Sequence, residues 1–200
     1  MEKEQIIELT EEDYEDVLPP TTLAHHLDRV LQAARSGKYD FAPWTPVIGL
    51  TGSGKTAIIK DWLKFHHLKN WYISGCRSLS KIEVEYFPDY TGEPSVKIVS
   101  GKELEDLFTP KKKEINVIFS SNEIDNVDDQ TVIVVDDYDR ASKEVRKELY
   151  NLIRYHWVSD PRANNEKKIK VLNPLMLIVV IDDGNRDVLN KEERNLFGMV

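Results

Sequence analysis

Residues 49–56 read Gly49-Leu50-Thr51-Gly52-Ser53-Gly54-Lys55-Thr56, and this stretch decides the fold. It matches the pattern G-x-x-x-x-G-K-[ST], in which the backbone N–H groups of a glycine-rich loop bind phosphate groups. An apolar segment from Thr45 to Ile48 precedes the loop, and a segment with helical spacing of apolar residues, Ala57 to His67, follows it. Because the pattern requires the order strand, loop, helix, the sequence predicts a P-loop here; the alternative is a glycine-rich turn with a surface lysine.

The residue types in this loop match the chemistry of phosphate binding. Glycine at positions 49, 52 and 54 lets the backbone turn tightly and approach phosphates closely. Lys55 is predicted to reach the β- and γ-phosphates, and the Thr56 hydroxyl is predicted to take one Mg²⁺ position. The predicted binding residues are Gly49, Leu50, Thr51, Gly52, Ser53, Gly54, Lys55, Thr56 and Ala57.

A second motif follows the apolar, β-branched run from Thr131 to Val135. A continuous run of this kind is typical of a strand that is buried on both faces of a parallel sheet. It ends in Asp136 and Asp137. An acid at the carboxyl end of a strand beside the P-loop would complete a nucleoside triphosphate site, so Asp136 is predicted to hold Mg²⁺ directly or through water. The alternative is a pair of turn aspartates after a strand.

Apolar strands with polar carboxyl ends alternate with helices along the chain. Besides the P-loop elements, the pattern predicts a helix from Leu23 to Ala34, a strand from Asn70 to Ser74 and a strand from Leu175 to Ile181. It also predicts a helix capped by Ser142, whose apolar face consists of Val145, Leu149, Leu152, Ile153 and Trp157. The predicted fold is a three-layer α/β/α P-loop NTPase core with a mostly parallel sheet.

The predicted domain organisation is an acidic N-terminal arm followed by this core. The arm covers residues 1–17, and the core covers residues 18–200. Within the core, residues 76–130 form an insertion region that periodicity assigns poorly. The pattern there predicts short strands at 96–99 and 116–120 and a short helix at 102–108.

Composition narrows the class of protein. Hydrophobic residues make up 40% of the chain and charged residues 31%, as in a soluble globular protein. No apolar run is long enough to span a bilayer, and the N-terminus is acidic, so neither a membrane anchor nor a secretory signal is predicted. The single cysteine, Cys76, excludes an internal disulfide and a cluster of thiolate metal ligands. It fits a reducing compartment, and a cytoplasmic location is predicted.

The net charge of −8 disfavours broad binding to nucleic acid. Two basic patches remain, at residues 111–113 and 167–170. Both lie between periodic segments, so they are predicted to be solvated loops. A local contact with nucleic acid is the alternative.

The string Val132-Ile133-Val134-Val135-Asp136-Asp137-Tyr138-Asp139-Arg140-Ala141 resembles the Walker B segment of the MoxR-like and dynein-related branch of the AAA+ ATPases. That branch favours four apolar residues, Asp-Glu, an apolar residue, Asn, and then Arg-Ala and an amphipathic helix. The resemblance extends from about Leu18 to the C-terminus, excluding much of the middle third. It implies ATP and Mg²⁺ as ligands, with Lys55 and Thr56 at the phosphates and Asp136 at the metal. Asp137 takes the place of the water-polarising glutamate.

The resemblance also implies a γ-phosphate sensor at the polar end of the strand that finishes near Ile181. Asn185 is the first candidate, and Asp182 is the second, since the register is open. Arg194 resembles the arginine finger of the family; the alternative is an exposed helix arginine. A finger that acts on a neighbouring subunit requires a ring or at least a dimer. The resemblance implies a homo-oligomeric ring, provided that the missing lid is supplied.

The chain departs from the family pattern at two points. Asp137 replaces a glutamate, which moves the carboxylate back by roughly 1.5 Å. Catalytic geometry is sensitive to shifts of about 1 Å, which can cost about a hundredfold, so slow hydrolysis is expected. The family also continues beyond the position of Val200 with another core strand and a helical lid, which are absent from this chain. Weaker nucleotide binding is expected without them.

The leading functional hypothesis is an AAA+ family protein that binds and hydrolyses ATP and remodels a protein or protein–nucleic-acid partner. The first alternative is a nucleotide-binding switch or assembly module with low turnover. The second is a motor that acts on DNA, such as a packaging or loading ATPase, which the acidic balance disfavours. A small-molecule kinase fits least, because no acceptor-binding motif is evident. Preference for adenine over guanine rests on the resemblance alone.

Overall fold

The computed structural model describes residues 22–37, 41–86, 111–162 and 169–199 of the chain. Its helices are α1 (Leu23–Arg35), α2 (Lys55–Phe65), α3 (Ser121–Asp125), α4 (Lys143–Tyr155) and α5 (Lys191–Leu196). Its strands are β1 (Trp44–Gly49), β2 (Asn70–Ser74), β3 (Ser80–Tyr86), β4 (Lys111–Val117), β5 (Val132–Asp136), β6 (Trp157–Ser159), β7 (Ile169–Val171) and β8 (Met176–Asp182). Short 3₁₀ turns follow β5 and β8, at Tyr138–Arg140 and Asp183–Val188.

The central sheet is parallel, with the strand order β1-β8-β5-β2. Strand β8 therefore lies between the strand that precedes the P-loop and the strand that ends at Asp136. The register pairs Gly49 with Asp182 and Ser74 with Asp136. Because parallel strands all end at the same edge, the P-loop and the polar ends of β5 and β8 meet there.

Helices cover both faces of this sheet. Side chains of α1 and α2 pack on one face against alternate strand residues, in the cluster that contains Leu27, Leu31, Ile59, Trp62, Val132, Val134, Met176, Ile178 and Val180. Side chains of α4 pack on the other face, in the cluster that contains Val145, Leu149, Leu152, Ile153, Ile133, Val135, Leu177, Val179 and Ile181. Successive strand residues point to opposite faces, so an all-apolar strand serves both cores. The predicted three-layer α/β/α fold is confirmed.

The end of α4 differs from the prediction. The helix ends at Tyr155, because His156 takes a left-handed conformation with φ 55°. Trp157 then begins β6 and pairs with Val171 of β7. The prediction that Trp157 lies on the apolar face of the helix is therefore wrong. The prediction that residues 167–170 form a solvated loop is also wrong at Ile169 and Lys170, which belong to β7.

The middle third contains an antiparallel hairpin of β3 and β4 that was not predicted, although residues of β3 alternate between polar and apolar as in a half-buried strand. Residues 111–113 lie in β4 and not in a solvated loop, and β4 ends at Val117, so the prediction of a strand at 116–120 is shifted. Opposite charges across the two strands stabilise the pairing: Lys112 lies 2.8 Å from Glu83, and Lys81 lies 3.4 Å from Glu114. The predicted arm at 1–17, strand at 96–99 and helix at 102–108 lie outside the described residues.

None of the helices in the described ranges has both the length and the apolar character needed to cross a membrane.

Candidate functional site

The loop between β1 and α2 has the backbone conformation that its glycines allow. Gly52 and Gly54 have φ values of 78° and 83°, in the left-handed region that side chains disfavour. Gly54 is the N-cap of α2, so the free N–H groups and the positive dipole end of this helix face the loop. A loop of this kind binds an anion without any further charged group.

Lys55 extends along this loop. Its Nζ atom donates to the carbonyl oxygen of Gly49 at 2.6 Å and to that of Leu50 at 2.8 Å. These contacts hold the ammonium group against the backbone of the turn.

Thr56 and Asp136 join the P-loop helix to the end of β5. The Thr56 hydroxyl lies 3.1 Å from each carboxylate oxygen of Asp136. Asp136 is only 7% exposed, and the backbone N–H of Asp137 also donates to it, at 3.1 Å. A buried carboxylate normally pairs with a cation or coordinates a metal ion, yet within the described ranges Asp136 has hydroxyl and N–H partners only.

This donor set fits Mg²⁺. The ion prefers oxygen ligands and usually takes one or two carboxylates, with water and substrate phosphates completing its shell. The hydroxyl of Thr56 and the carboxylate of Asp136 are such ligands. The described residues contain no group of three or more His, Cys, Asp or Glu side chains able to hold a metal ion. Mg²⁺ held by Thr56 and Asp136 would complete its shell with water or phosphate oxygens.

Tyr72 is a further partner of Asp136, and the sequence did not indicate it. Its hydroxyl donates to Oδ2 of Asp136. Burial raises the pKa of the Tyr72 phenol, and the hydrogen bond to Asp136 adds to that rise. The ammonium of Lys60 lies 4.9 Å from the centre of the tyrosine ring. Tyr72 pairs with Val134, two residues before Asp136, so only the register of the sheet reveals the contact.

Asp137 leaves the strand in a left-handed conformation, with φ 53°. Burial raises the pKa of its carboxyl, and the charge of Asp136 adds to the rise, while Arg140 and Lys55 oppose it. Gly75 packs directly against the backbone here: a Cβ atom on Gly75 would lie 2.0 Å from the carbonyl oxygen of Asp137. Only glycine allows this approach.

Asp139 links the end of β5 to the end of β8. Its carboxylate is 2% exposed and accepts hydrogen bonds from the backbone N–H of Asp182 at 2.9 Å and from Nδ2 of Asn185 at 2.6 Å. Asp182 in turn accepts a hydrogen bond from the Thr51 hydroxyl, which lowers the pKa of the Asp182 carboxyl. Asp139 thus holds both sensor candidates, Asp182 and Asn185. This role of Asp139 was not predicted, and the only sequence signal for it was its position two residues after Asp137.

A cleft of about 530 Å³ lies over the loop. Its lining residues are Thr51, Gly52, Ser53, Gly54, Lys55, Thr56, Ala57, Lys60, Asp137, Arg140, Val180 and Asp182. The structure therefore brings most of the predicted loop together with Asp137 and Asp182. Five of the predicted residues do not line this cleft: Gly49, Leu50, Asp136, Asn185 and Arg194. Asp136 adjoins it through Thr56, and Arg194 lies half-buried on α5. Lys60 and Arg140 line it without having been predicted.

No protein-family model matches the chain, and no curated protein matches it. Among solved structures, it is similar to NtrX from Brucella abortus in complex with ADP, with 8% identity over 94% of this chain and 37% of that chain and a TM-score of 0.45. It is also similar to a mutant of RuvB from Thermotoga maritima, with 13% identity over 93% of this chain and 46% of that chain and a TM-score of 0.47. The chain spans less than half the length of either.

Proposed function

We propose that this chain binds ATP with Mg²⁺ and hydrolyses it as an ATPase of the AAA+ type, in the MoxR-like and dynein-related branch. We further propose that it acts in the cytoplasm as a homo-oligomeric ring that remodels a protein or protein–nucleic-acid partner. One observation carries the nucleotide site: Thr56 Oγ1 lies 3.1 Å from both carboxylate oxygens of Asp136. That contact supports a phosphate-binding loop placed next to a metal-binding acid, with Thr56 lining the cleft and Asp136 lying behind it.

The proposed roles follow from the chemistry of each group. The loop N–H groups and Lys55 bind the phosphates. Thr56 and Asp136 hold Mg²⁺, which when bound neutralises phosphate charge. Asp137 accepts a proton from the water that attacks the γ-phosphorus, while the bond from that phosphorus to the β–γ bridging oxygen breaks, giving ADP and inorganic phosphate.

The remaining roles concern the sensor and the finger. Asn185 is proposed as the γ-phosphate sensor because its amide can donate a hydrogen bond to a phosphate. Asp182 is the alternative, since it lines the cleft and contacts Thr51. Arg194 is proposed to act on the nucleotide of a neighbouring subunit. Its location away from the cleft of its own chain is compatible with that role.

The first test is Lys55→Ala. Removal of the ammonium should weaken binding of a fluorescent ATP analogue in the presence of Mg²⁺ by at least about a hundredfold, because two charge-assisted hydrogen bonds are lost. Thermal unfolding should still show a folded protein. Lys69→Ala is the matched control, since Lys69 pairs with Asp128 at 2.6 Å and does not line the cleft. Wild-type affinity in Lys55→Ala would overturn the proposed site.

A nucleotide-binding switch with little turnover is the second candidate. The short side chain of Asp137 favours it, because the carboxylate reaches less far than that of a glutamate. Steady-state hydrolysis across a series of protein concentrations separates the two. Turnover that rises with concentration and disappears in Asp136→Asn supports the ATPase, whereas binding without turnover supports the switch.

A further inference from the structure

Arg140 shares the cleft with Asp137 because of the 3₁₀ turn that joins them. The backbone N–H of Arg140 donates to the carbonyl oxygen of Asp137 at 3.0 Å. A 3₁₀ turn has three residues per turn, so side chains at positions i and i+3 lie on the same side. Both side chains therefore line the cleft, and Nε of Arg140 lies 3.8 Å from Oδ1 of Asp137.

The backbone that carries Arg140 is held firmly. The N–H of Gly75 donates to the carbonyl oxygen of Asp136 at 2.6 Å, and the backbone of Asp137 leaves no room for a side chain at Gly75. Within the turn, Tyr138 is fully buried, and its hydroxyl donates to Glu193 at 2.9 Å. The side chain of Arg140 is 44% exposed, so the guanidinium can move while its attachment point cannot.

The contact between Arg140 and Asp137 is a loose one. By comparison, Arg77 and Glu123 form a two-point pair in which both N–O distances are 2.7 Å. In the described part of the chain, Asp137 is the one acid within ion-pair distance of Arg140. A guanidinium has five N–H donors in a planar fork that matches phosphate oxygens, so most of its donors are available to a ligand in the cleft.

We propose that Arg140 binds phosphate in the nucleotide site of its own chain. When ATP binds, the guanidinium of Arg140 moves from Asp137 to the γ-phosphate. The exchange replaces a loose contact with a half-exposed carboxylate by hydrogen bonds to a more highly charged phosphate. It also releases Asp137 at the moment when a water molecule must be oriented for attack. This inference rests on the proposed ATP site and adds to it a residue that distinguishes ATP from ADP.

The role of Arg140 in the reaction follows from this exchange. As water attacks, a bond forms between its oxygen and the γ-phosphorus, and the bond from the γ-phosphorus to the β–γ bridging oxygen breaks. The water proton passes to the freed carboxylate of Asp137, and Arg140 neutralises charge on the γ-phosphate oxygens. Because Arg140 belongs to the chain that binds the nucleotide, its contribution does not depend on a neighbouring subunit.

The test is the ratio of ATP affinity to ADP affinity, measured by calorimetric titration in the presence of Mg²⁺. In Arg140→Ala, ADP affinity should stay within about twofold of wild type, while ATP affinity should fall about tenfold or more, because only ATP has a γ-phosphate. Arg140→Lys should restore part of the loss, since lysine keeps the charge but lacks the fork. Thermal unfolding of each variant checks that the fold is kept.

Combining Arg140→Ala with Asp137→Asn tests whether Arg140 contacts the phosphate or only neutralises the charge of Asp137. Asp137→Asn removes the one carboxylate that lies within ion-pair distance of Arg140 in the described part of the chain. If Arg140 contacts the γ-phosphate, Arg140→Ala should still reduce ATP affinity in the Asp137→Asn background by about tenfold. If the loss disappears in that background, or if ATP and ADP affinities fall equally, the proposal is wrong.

Two further variants separate this proposal from the site on which it rests. Arg162→Ala removes another half-exposed arginine, one that pairs with Asp125 and Asp160 and does not line the cleft, and it should leave both affinities unchanged. Lys55→Ala should lose both ligands. A wild-type ATP-to-ADP ratio in Arg140→Ala, with binding lost in Lys55→Ala, overturns the role of Arg140 alone. Unchanged binding in Lys55→Ala overturns the site itself.

Discussion

Gly75 sets the distance between the end of β2 and the two aspartates after β5. A Cβ atom at this position would lie 2.0 Å from the carbonyl oxygen and 2.7 Å from the carbonyl carbon of Asp137. Both are backbone atoms, so no side chain can rotate away to relieve the clash. The position of Asp136 and Asp137, which we propose to bind the metal and to orient the water, therefore depends on the absence of a single methyl group.

Gly75→Ala is expected to lower the free energy of unfolding by about 1–3 kcal/mol, because the added methyl group overpacks the contact. It should also weaken ATP binding, since Asp136 and Asp137 must shift. Urea unfolding and nucleotide titration measure the two effects. Gly37→Ala is the control: Gly37 has φ 63° and open space around it, so it should cost about 1–2 kcal/mol through its backbone conformation and leave ATP affinity unchanged. Normal ATP affinity in Gly75→Ala would contradict the prediction.

Other single residues of the cleft connect groups that local sequence keeps apart. Tyr72 and Thr56 approach Asp136 from β2 and α2, and Asp139 approaches the end of β8 from the turn after β5. Thr56 was identified by its motif, but neither Tyr72 nor Asp139 is unusual for its position in the sequence: a tyrosine in a strand is common, and an aspartate after a strand is an ordinary turn residue. Their partners identify them, and partners are a property of the fold.

At the level of elements, the helices begin with different caps. The hydroxyl of Ser142 accepts a hydrogen bond from the N–H of Val145 at 3.3 Å, which satisfies one of the free donors at the start of α4. Thr22 occupies the same position before α1, but its side chain makes no capping bond. Its hydroxyl oxygen is buried and has no hydrogen-bond partner among the described residues.

The two caps should respond differently to loss of the hydroxyl. Ser142→Ala is expected to lower the free energy of unfolding by about 1 kcal/mol, as for other lost N-caps. Thr22→Val keeps the shape of the side chain and removes a buried polar atom without a partner, so stability should be unchanged or rise by up to about 1 kcal/mol. Urea unfolding measures both, and equal losses in the two variants would count against this distinction.

The elements also show where periodicity succeeds and where it fails. The predicted α1 and α4 have the expected apolar faces, since a spacing of three and four residues places side chains on one side of a helix. The same spacing wrongly extended α4 to Trp157, because periodicity does not reveal that His156 takes a left-handed conformation. Strand β3 alternates polar and apolar residues over Ser80–Tyr86, which is a strand pattern that went unrecognised. Strand β4 begins with three lysines and a glutamate, so its own sequence carries no such alternation.

At the scale of the whole molecule, the strand order assembles the cleft. Residues from the β1–α2 loop, the end of β5 and the end of β8 line it together, and no two of these elements suffice. A ligand bound there contacts segments from both halves of the chain. Binding and folding are therefore linked, because the unfolded chain has no such site.

This linkage predicts that ATP with Mg²⁺ stabilises the protein. At a ligand concentration one hundred times the Kd, the free energy of unfolding should rise by about 2.7 kcal/mol. Chemical unfolding with and without the ligand measures the increase. Lys55→Ala should show none at the same concentration, and an equal increase in that variant would mean that the stabilising ligand binds elsewhere.

The amino-acid sequence by itself determined the α/β class, the position of the glycine-rich loop and the identity of the apolar strands. Short-range chemistry decides these features: glycine spacing sets the loop, and β-branched runs select buried strands. The acids after β5 were also readable, because they follow such a run directly.

Only the tertiary structure decided the strand order and the contacts that complete the cleft. Thr56 and Asp136 are separated by 80 residues, and Tyr72 and Asp136 by 64. The insertion of β8 between β1 and β5 and the close approach at Gly75 likewise join distant segments. Such contacts depend on strand register and on packing between layers, both of which are set by the whole chain. Each strand buries both of its faces, so its local sequence does not determine which strands and helices will be its neighbours.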